Sequence, residues 1–443
     1  MHYLLKCVLF ITLFRSSLAD SIDVKMEAAL KKWKIRGVSI VFFDKSISNT
    51  PIFRSYGRSG SSNVSAKITK DTAFTVASVS KIFAGAAVSA LIADGFITGL
   101  DDDICDVIPE TWKLSTCRNP NYPNIPITWR MLVTHRSSLV ESISGTYDDD
   151  DDFVLPSYGP NNAYQGFAFG NPTCPLEDVT GFYRDYLSDV VSSTSVGSKA
   201  LFDGLPIDWY EVQKSEGGAW AKRKPGARRQ YSNLAVGYIA ALVELATGES
   251  FEDFSQRRIF KPLGMSSTSW FRSSLPTDTP LATPIYYDGR RFIDEKHYCF
   301  IDYASGQLYS TTVDLSIFLD SMLRYGSPTL WDESIGRASL LCQEKDASGK
   351  KVSNKNCEFG VNWGILGNWM KDLGSWTTPL NRYDWTDGGN HEGLDLGAHS
   401  QVVLLPKDGV YLAALVNTGE WKNNGAHILI REFVNAIHAD PPV

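Results

Sequence analysis

Two residues stand out by type and spacing in an otherwise apolar stretch. In "FTVASVSKIF", residues 74–83, Ser78 and Lys81 lie three apart in a run that holds no other charge. On a helix this spacing sets the two side chains on one side, a turn apart. The residues that follow, Val79, Ile82, Phe83, Ala86, Ala87, Ala90 and Leu91, are apolar on almost every face, which predicts a buried helix ending at Gly95. A buried ammonium is costly without a partner, and burial beside polar groups lowers a lysine's pKa until it can act as base to a nearby hydroxyl. Backbone N–H groups at the helix start suit a developing oxyanion. The chemistry on offer is a serine nucleophile activated by a lysine; the alternative is an N-cap serine beside a snorkelling lysine. Spacing alone does not decide between them. Ser348-Gly349-Lys350-Lys351 repeats it in a polar stretch without helical period, where a solvated loop is expected.

Two distant segments carry further side chains of the same kind. "KPGARRQYSNLAVGY" places Tyr231-Ser232-Asn233 where a loop meets a buried helix, which Ser232 or Asn233 caps and Gly248 closes. "DGGNHEGLDLGAHSQVVLLP" places His391-Glu392-Gly393 at the entry to a strand, where a glycine lets a ligand approach the backbone. A serine, a lysine, a tyrosine, an asparagine and a histidine then require one explanation.

The elements that must position them read as follows. Residues 37 to 56 form two β-branched and aromatic runs about a polar turn, and the C-terminal region forms a hairpin around Lys407-Asp408-Gly409 followed by an amphipathic segment from Asn423 to His438. One sheet built from both termini is expected, an α/β domain over 20–77 and 300–443, interrupted by a mostly helical domain over 78–299. Within the latter, Ser250 and Asp253 have capping-box spacing. No repeat or low-complexity linker is present.

Composition bounds the function. The chain of 443 residues is 43% apolar and 21% charged, which is ordinary for a globular protein. Its net charge of −7 leaves no global basic footprint for nucleic acid. Residues 1–19 read as a secretory signal, an apolar stretch followed by small residues ending at Ala19, so the mature chain is expected to begin near Asp20 and to be secreted without stable membrane insertion. Cys7 leaves with the signal. The remaining six cysteines suit three disulfides in an oxidising compartment; short-range closure suggests Cys105–Cys117 and Cys342–Cys357, leaving Cys174–Cys299. Without a CxxC or Cys/His cluster, no zinc is expected. Asn63-Val64-Ser65 is a glycosylation sequon.

Ser78-x-x-Lys81, Tyr231-x-Asn233 and His391-x-Gly393, in that order, resemble the active-site motifs of the serine β-lactamase and penicillin-binding-protein superfamily, in its class C, DD-peptidase and esterase branch. The blocks "ITWRMLVTHRSSL", "IFKPLGMSST" and "ASGQLYSTTVDLSIFL" are similar to spacer blocks of that branch. The resemblance implies an antiparallel sheet flanked by helices, with Ser78 as the acylated nucleophile and Lys81 and Tyr231 sharing the proton transfers. Asn233 would orient Lys81 and the substrate, and His391 would stand beside the leaving group or the substrate's polar end. The oxyanion hole would be the backbone N–H groups of Ser78 and Leu394, with Gly393 and Glu392 at the substrate. No metal or organic cofactor is implied; the partner is a small-molecule or peptide acyl substrate, and the oligomeric state is left open.

One departure bears on substrate. Where relatives acting on β-lactams or D-Ala peptides have a small hydroxyl residue, this chain has Glu392, with Asp395 close behind. Facing the cleft, Glu392 would oppose a substrate carboxylate; turned away by strand alternation, it would say nothing. An esterase or amidase is therefore expected, with a D-Ala peptidase or β-lactamase, or a lapsed binding protein, as alternatives. "KRKPGARR" at 222–229 is either a basic rim or a solvated charge run. Asp148 to Asp152 fail the calcium-loop pattern and read as solvated, and His135 as a packed helix residue.

Overall fold

The computed structural model describes residues 22–112, 116–139, 167–169, 179–187, 220–295, 297–300, 302–346, 348–351, 357, 359–365, 383, 388–419 and 425–439. The signal expected over 1–19, Cys174 with its pairing to Cys299, and Asp148 to Asp152 lie outside the described residues.

Strand-forming runs at both termini meet in one antiparallel sheet of six strands. Helix α1 (22–33) leads into β1 (Gly37–Asp44) and β2 (Ile52–Gly57). After the helices α2 (Ser80–Ala93), α3 (Asn233–Thr247) and α4 (Thr312–Leu323) come β3 (Gly364–Ile365), β4 (Gly389–Asp395), β5 (Ala398–Leu405), β6 (Val410–Val416) and α5 (Gly425–Ala439). The order across the sheet is β2-β1-β6-β5-β4-β3, so the N-terminal hairpin is sewn to the C-terminal one by β1 and β6, with Val38 opposite Val416. This is the β-lactamase/transpeptidase-like fold.

Alternation along the strands divides the core in two. Ile40, Phe42, Val403, Leu405 and Leu412 point to one face, where α1 and α5 cover them with Met26, Leu429 and Phe433. Val41, Val402, Leu404 and Tyr411 point to the other and join the helices in a single larger core. α2 lies inside that core, which is why it needs no polar face: its residues from Ser80 to Leu91 are all buried. Helix ends fall where the residues allow them. Ser232 caps α3 by accepting from the Ala235 N–H, and Gly95 and Gly248 take the left-handed turns (φ +76° and +74°) that follow α2 and α3. Cys105–Cys117 and Cys342–Cys357 are disulfide-bonded. Among the described residues no single helix is long and apolar enough to cross a membrane.

Phe83 of α2 is fully buried, with ring centroids 4.4 Å from Phe318 of α4 and 5.7 Å from Phe260. Phe83→Ala should therefore cost about 3–5 kcal/mol in urea unfolding; a loss below about 1 kcal/mol would show that α2 is not locked into this core.

Candidate active site

Ser78 does not begin α2 itself. It occupies the middle of a 3-10 turn, Ala77–Val79, that leads into the helix at Ser80. Ala77 sits at φ +46°, a left-handed conformation that costs a residue with a Cβ roughly 1–2 kcal/mol. Packing holds it there. The Val76 N–H donates to the Leu308 carbonyl at 2.8 Å, and Ser400 Oγ donates to the Val76 carbonyl at 2.5 Å, so the chain entering the turn is pinned from two sides.

One turn on, Lys81 is completely buried, and its Nζ donates to Ser78 Oγ at 3.0 Å and to the Ser305 carbonyl at 2.5 Å. Burial pushes the Asp302 carboxyl above its usual range, while the hydrogen bond from Ser305 and then the charge of Lys81 pull the other way. Ser305 Oγ donates to Asp302 Oδ2 at 3.0 Å, joining the two residues that surround the ammonium. Neither Asp302 nor Ser305 was singled out from sequence. The rule that a buried ammonium needs partners demanded such residues, but a separation of 224 positions gave no means of choosing them.

The turn of chain into α3 brings Tyr231 to this lysine, with Lys81 Nζ 4.9 Å from the centre of the phenol ring. On its other side the ring stacks on His135 at a centroid distance of 4.5 Å. His135 Nδ1 accepts from the Ser232 N–H at 3.2 Å, so in the neutral ring Nε2 carries the proton. Burial, then the charges of Lys81 and Arg229, hold the His135 pKa well below its ordinary value. His135 is thus more than a packed residue, because it braces Tyr231 through both its ring and the adjoining backbone. Asn233 is the first residue of α3, next to that brace.

The third segment is the part of β4 beyond its short pairing with β3. His391 opposes Val402 and Gly393 opposes Ser400, which sets both on the face toward Ser78. Gly393 has no room for a side chain: a Cβ there would lie against Ser400 Oγ, 2.5 Å from the Val76 carbonyl oxygen and 2.9 Å from the Ser78 backbone nitrogen. This close approach sets the strand at Gly393 against the backbone amide of Ser78. The ring of His391 is buried, and its Nδ1 donates to the Glu392 carbonyl at 2.7 Å, leaving Nε2 as a buried acceptor without a protein partner among the described residues. Burial, then the charge of Lys81, lowers the His391 pKa to about 3.

Glu392 corrects one expectation. Strand alternation turns it away from His391 to the opposite face of the sheet, where its Oε1 lies 3.0 Å from His399 Nε2 and 2.7 Å from His427 Nε2. It does not line the Ser78 side, and its charge cannot argue against a substrate carboxylate. Of the other candidates, Ser348 and Lys351 are exposed, with Ser348 Oγ donating to Asp346 in a polar turn. In the basic run Lys222, Lys224 and Arg228 are exposed, while Arg229 lies 5.7 Å from the Phe359 ring centre.

A family model described as Beta-lactamase matches residues 23–434. The chain is 26% identical over 323 residues to "Probable hydrolase clz13" of Cochliobolus lunatus, a match covering 68% of this chain and 48% of that protein. It is 23% identical over 330 residues to the D-alanyl-D-alanine-carboxypeptidase/endopeptidase AmpH of Escherichia coli (strain K12), covering 74% of this chain and 68% of that one. The chain therefore spans about half the length of the fungal relative. Among solved structures, EstCE1, described as a hydrolase with promiscuous acyltransferase activity, superposes with a TM-score of 0.63 at 16% identity, covering 96% of this chain and 100% of that one.

Gly393→Ala should lower kcat on any hydrolysed substrate by about a hundredfold, since the added carbon must displace backbone at Val76 and Ser78; unchanged turnover in the folded variant would contradict the close approach. Lys81→Ala and Tyr231→Phe should each lose at least about a hundredfold, and wild-type rates in either would remove that residue from the machinery.

Proposed function

Because the chain belongs to the Beta-lactamase family, we propose that it is a serine hydrolase, that Ser78 forms its acyl-enzyme and that its substrates are esters or amides that need not carry a carboxylate. The observation that carries this reading is the contact of 3.0 Å between Lys81 Nζ and Ser78 Oγ in a fully buried lysine. In its neutral form Lys81 takes the Ser78 proton as Oγ attacks the acyl carbon. The oxyanion accepts from the backbone N–H groups of Ser78 and Leu394, and the leaving alcohol or amine departs with a proton relayed through Lys81 and Tyr231. Water, or another nucleophile, then attacks the acyl group, gives up its proton to the same pair and restores Ser78. Asn233 orients the polar end of the site.

The substrate preference rests on His391. With Nδ1–H engaged by the Glu392 carbonyl, Nε2 presents a lone pair. A carboxylate also offers only lone pairs, so the two repel, whereas a substrate hydroxyl, amine or amide N–H can donate to Nε2. The expectation first drawn from Glu392 thus stands on a different residue. The similarity to AmpH supports a second reading, hydrolysis of peptides ending in D-Ala, which requires recognition of a carboxylate. A lapsed binding protein is disfavoured by retention of the Ser78–Lys81 contact. We propose further that residues 1–19 are a cleaved secretory signal and that Asn63 is glycosylated. The two short-range disulfides and the exposed position of Asn63 support this.

A panel of p-nitrophenyl esters and amino-acid amides, run beside a penicillin and a D-Ala-D-Ala peptide, tests the reading. Turnover of the neutral substrates, lost in Ser78→Ala and exceeding that of the carboxylate substrates by at least about tenfold in kcat/KM, is expected. His391→Lys should shift the ratio toward the carboxylates. A wild-type enzyme faster on the penicillin or the peptide would overturn the preference and favour the second reading.

A further inference from the structure

We propose that Glu392, His399 and His427 bind a divalent transition-metal ion of the zinc class, on the face of the sheet opposite Ser78. Three elements deliver the ligands. Glu392 is on β4 opposite Gln401, and His399 is on β5 opposite Leu394, so the two are diagonal neighbours on one face. α5 packs over that face and brings down His427. Both imidazoles present Nε2, and the three ligand atoms lie within 4.8 Å of one another.

The geometry fits such an ion with little movement. Zinc bonds to nitrogen and oxygen of about 2.0–2.2 Å in a tetrahedron place ligand atoms roughly 3.3 Å apart. Here the Glu392 oxygen stands 3.0 Å and 2.7 Å from the two nitrogens, so those two edges would open by roughly 0.3–0.6 Å, and all three atoms lie within 4.8 Å of one another. Two imidazoles and a carboxylate are a donor set suited to zinc, copper, nickel and iron and ill suited to calcium or magnesium. The imidazole side chains are sealed, at 1% and 5% exposure, while the Glu392 side chain is 24% exposed.

An ion here would tie α5 to the strand that carries His391 and Gly393, since the residue it grips is the one whose carbonyl fixes the His391 ring. It lies behind the sheet and takes no part in the acyl transfer.

The test uses the untagged chain, stripped with a chelator and dialysed against zinc or cobalt(II). The expected result is one equivalent of zinc retained, a rise in thermal midpoint, and visible cobalt(II) absorption of low-coordinate intensity. His427→Gln and His399→Gln, checked for folding by circular dichroism, should bind at least about tenfold more weakly. Ser78→Ala should take up metal as wild type does while losing turnover, which separates this site from the catalytic one. No uptake by wild type, or equal uptake by both histidine variants, would overturn the proposal and leave a hydrogen-bonded Glu–His cluster. If the variants do not fold, the wild-type spectrum decides, and the weak absorption of hexaaqua-like cobalt(II) contradicts the site.

Discussion

The completely buried amine of Lys81 is the constraint to which the rest of the site answers. Removing a charged amine from water costs several kcal/mol unless nearby groups replace its hydration. Here the replacements come from segments up to 224 positions from Lys81: the Ser78 hydroxyl one turn away, the Ser305 carbonyl, the Asp302 carboxyl and the Tyr231 ring. Each is held by its own structural reason, the 3-10 turn for Ser78, the Ser305–Asp302 bond for the acid, and the capped start of α3 for the tyrosine. A site assembled from such distant segments exists only when the helical core and the sheet have both formed.

The sheet contributes through register. Pairing β4 with β5 puts His391 and Gly393 on one face and Glu392 on the other, and a slip of one residue would exchange them. The absence of a side chain at Gly393 lets the strand press against the amide of Ser78, while Ser400 holds the preceding carbonyl. Ser78, Lys81 and the strand at Gly393 are therefore held in close register, the kind of preorganisation that the proposed acyl transfer requires.

Much of this was legible beforehand, for identifiable reasons. Periodicity revealed α2 and α3 because a helix apolar on all faces must be buried, and the alternating terminal runs revealed one sheet because edges at both ends need partners. The motif residues Ser78, Lys81, Tyr231, His391 and Gly393 converge as their order suggested. What escaped were partners that share no local pattern. Asp302 and Ser305 meet Lys81 across more than two hundred positions, and His135, read as packing alone, braces Tyr231. Glu392 showed the limit of a motif argument, since its type was informative but its direction depended on the strand's register. The same turn of the strand that removed it from the substrate carried it to His399 and His427.

The central claim is that Ser78 becomes acylated with the help of Lys81. Peptide mapping by mass spectrometry after reaction with a fluorophosphonate tests it most directly. The account predicts a single adduct on the peptide containing Ser78, formed at least about a hundredfold more slowly in Lys81→Ala. An adduct on another residue, or labelling of Lys81→Ala at the wild-type rate, would contradict it.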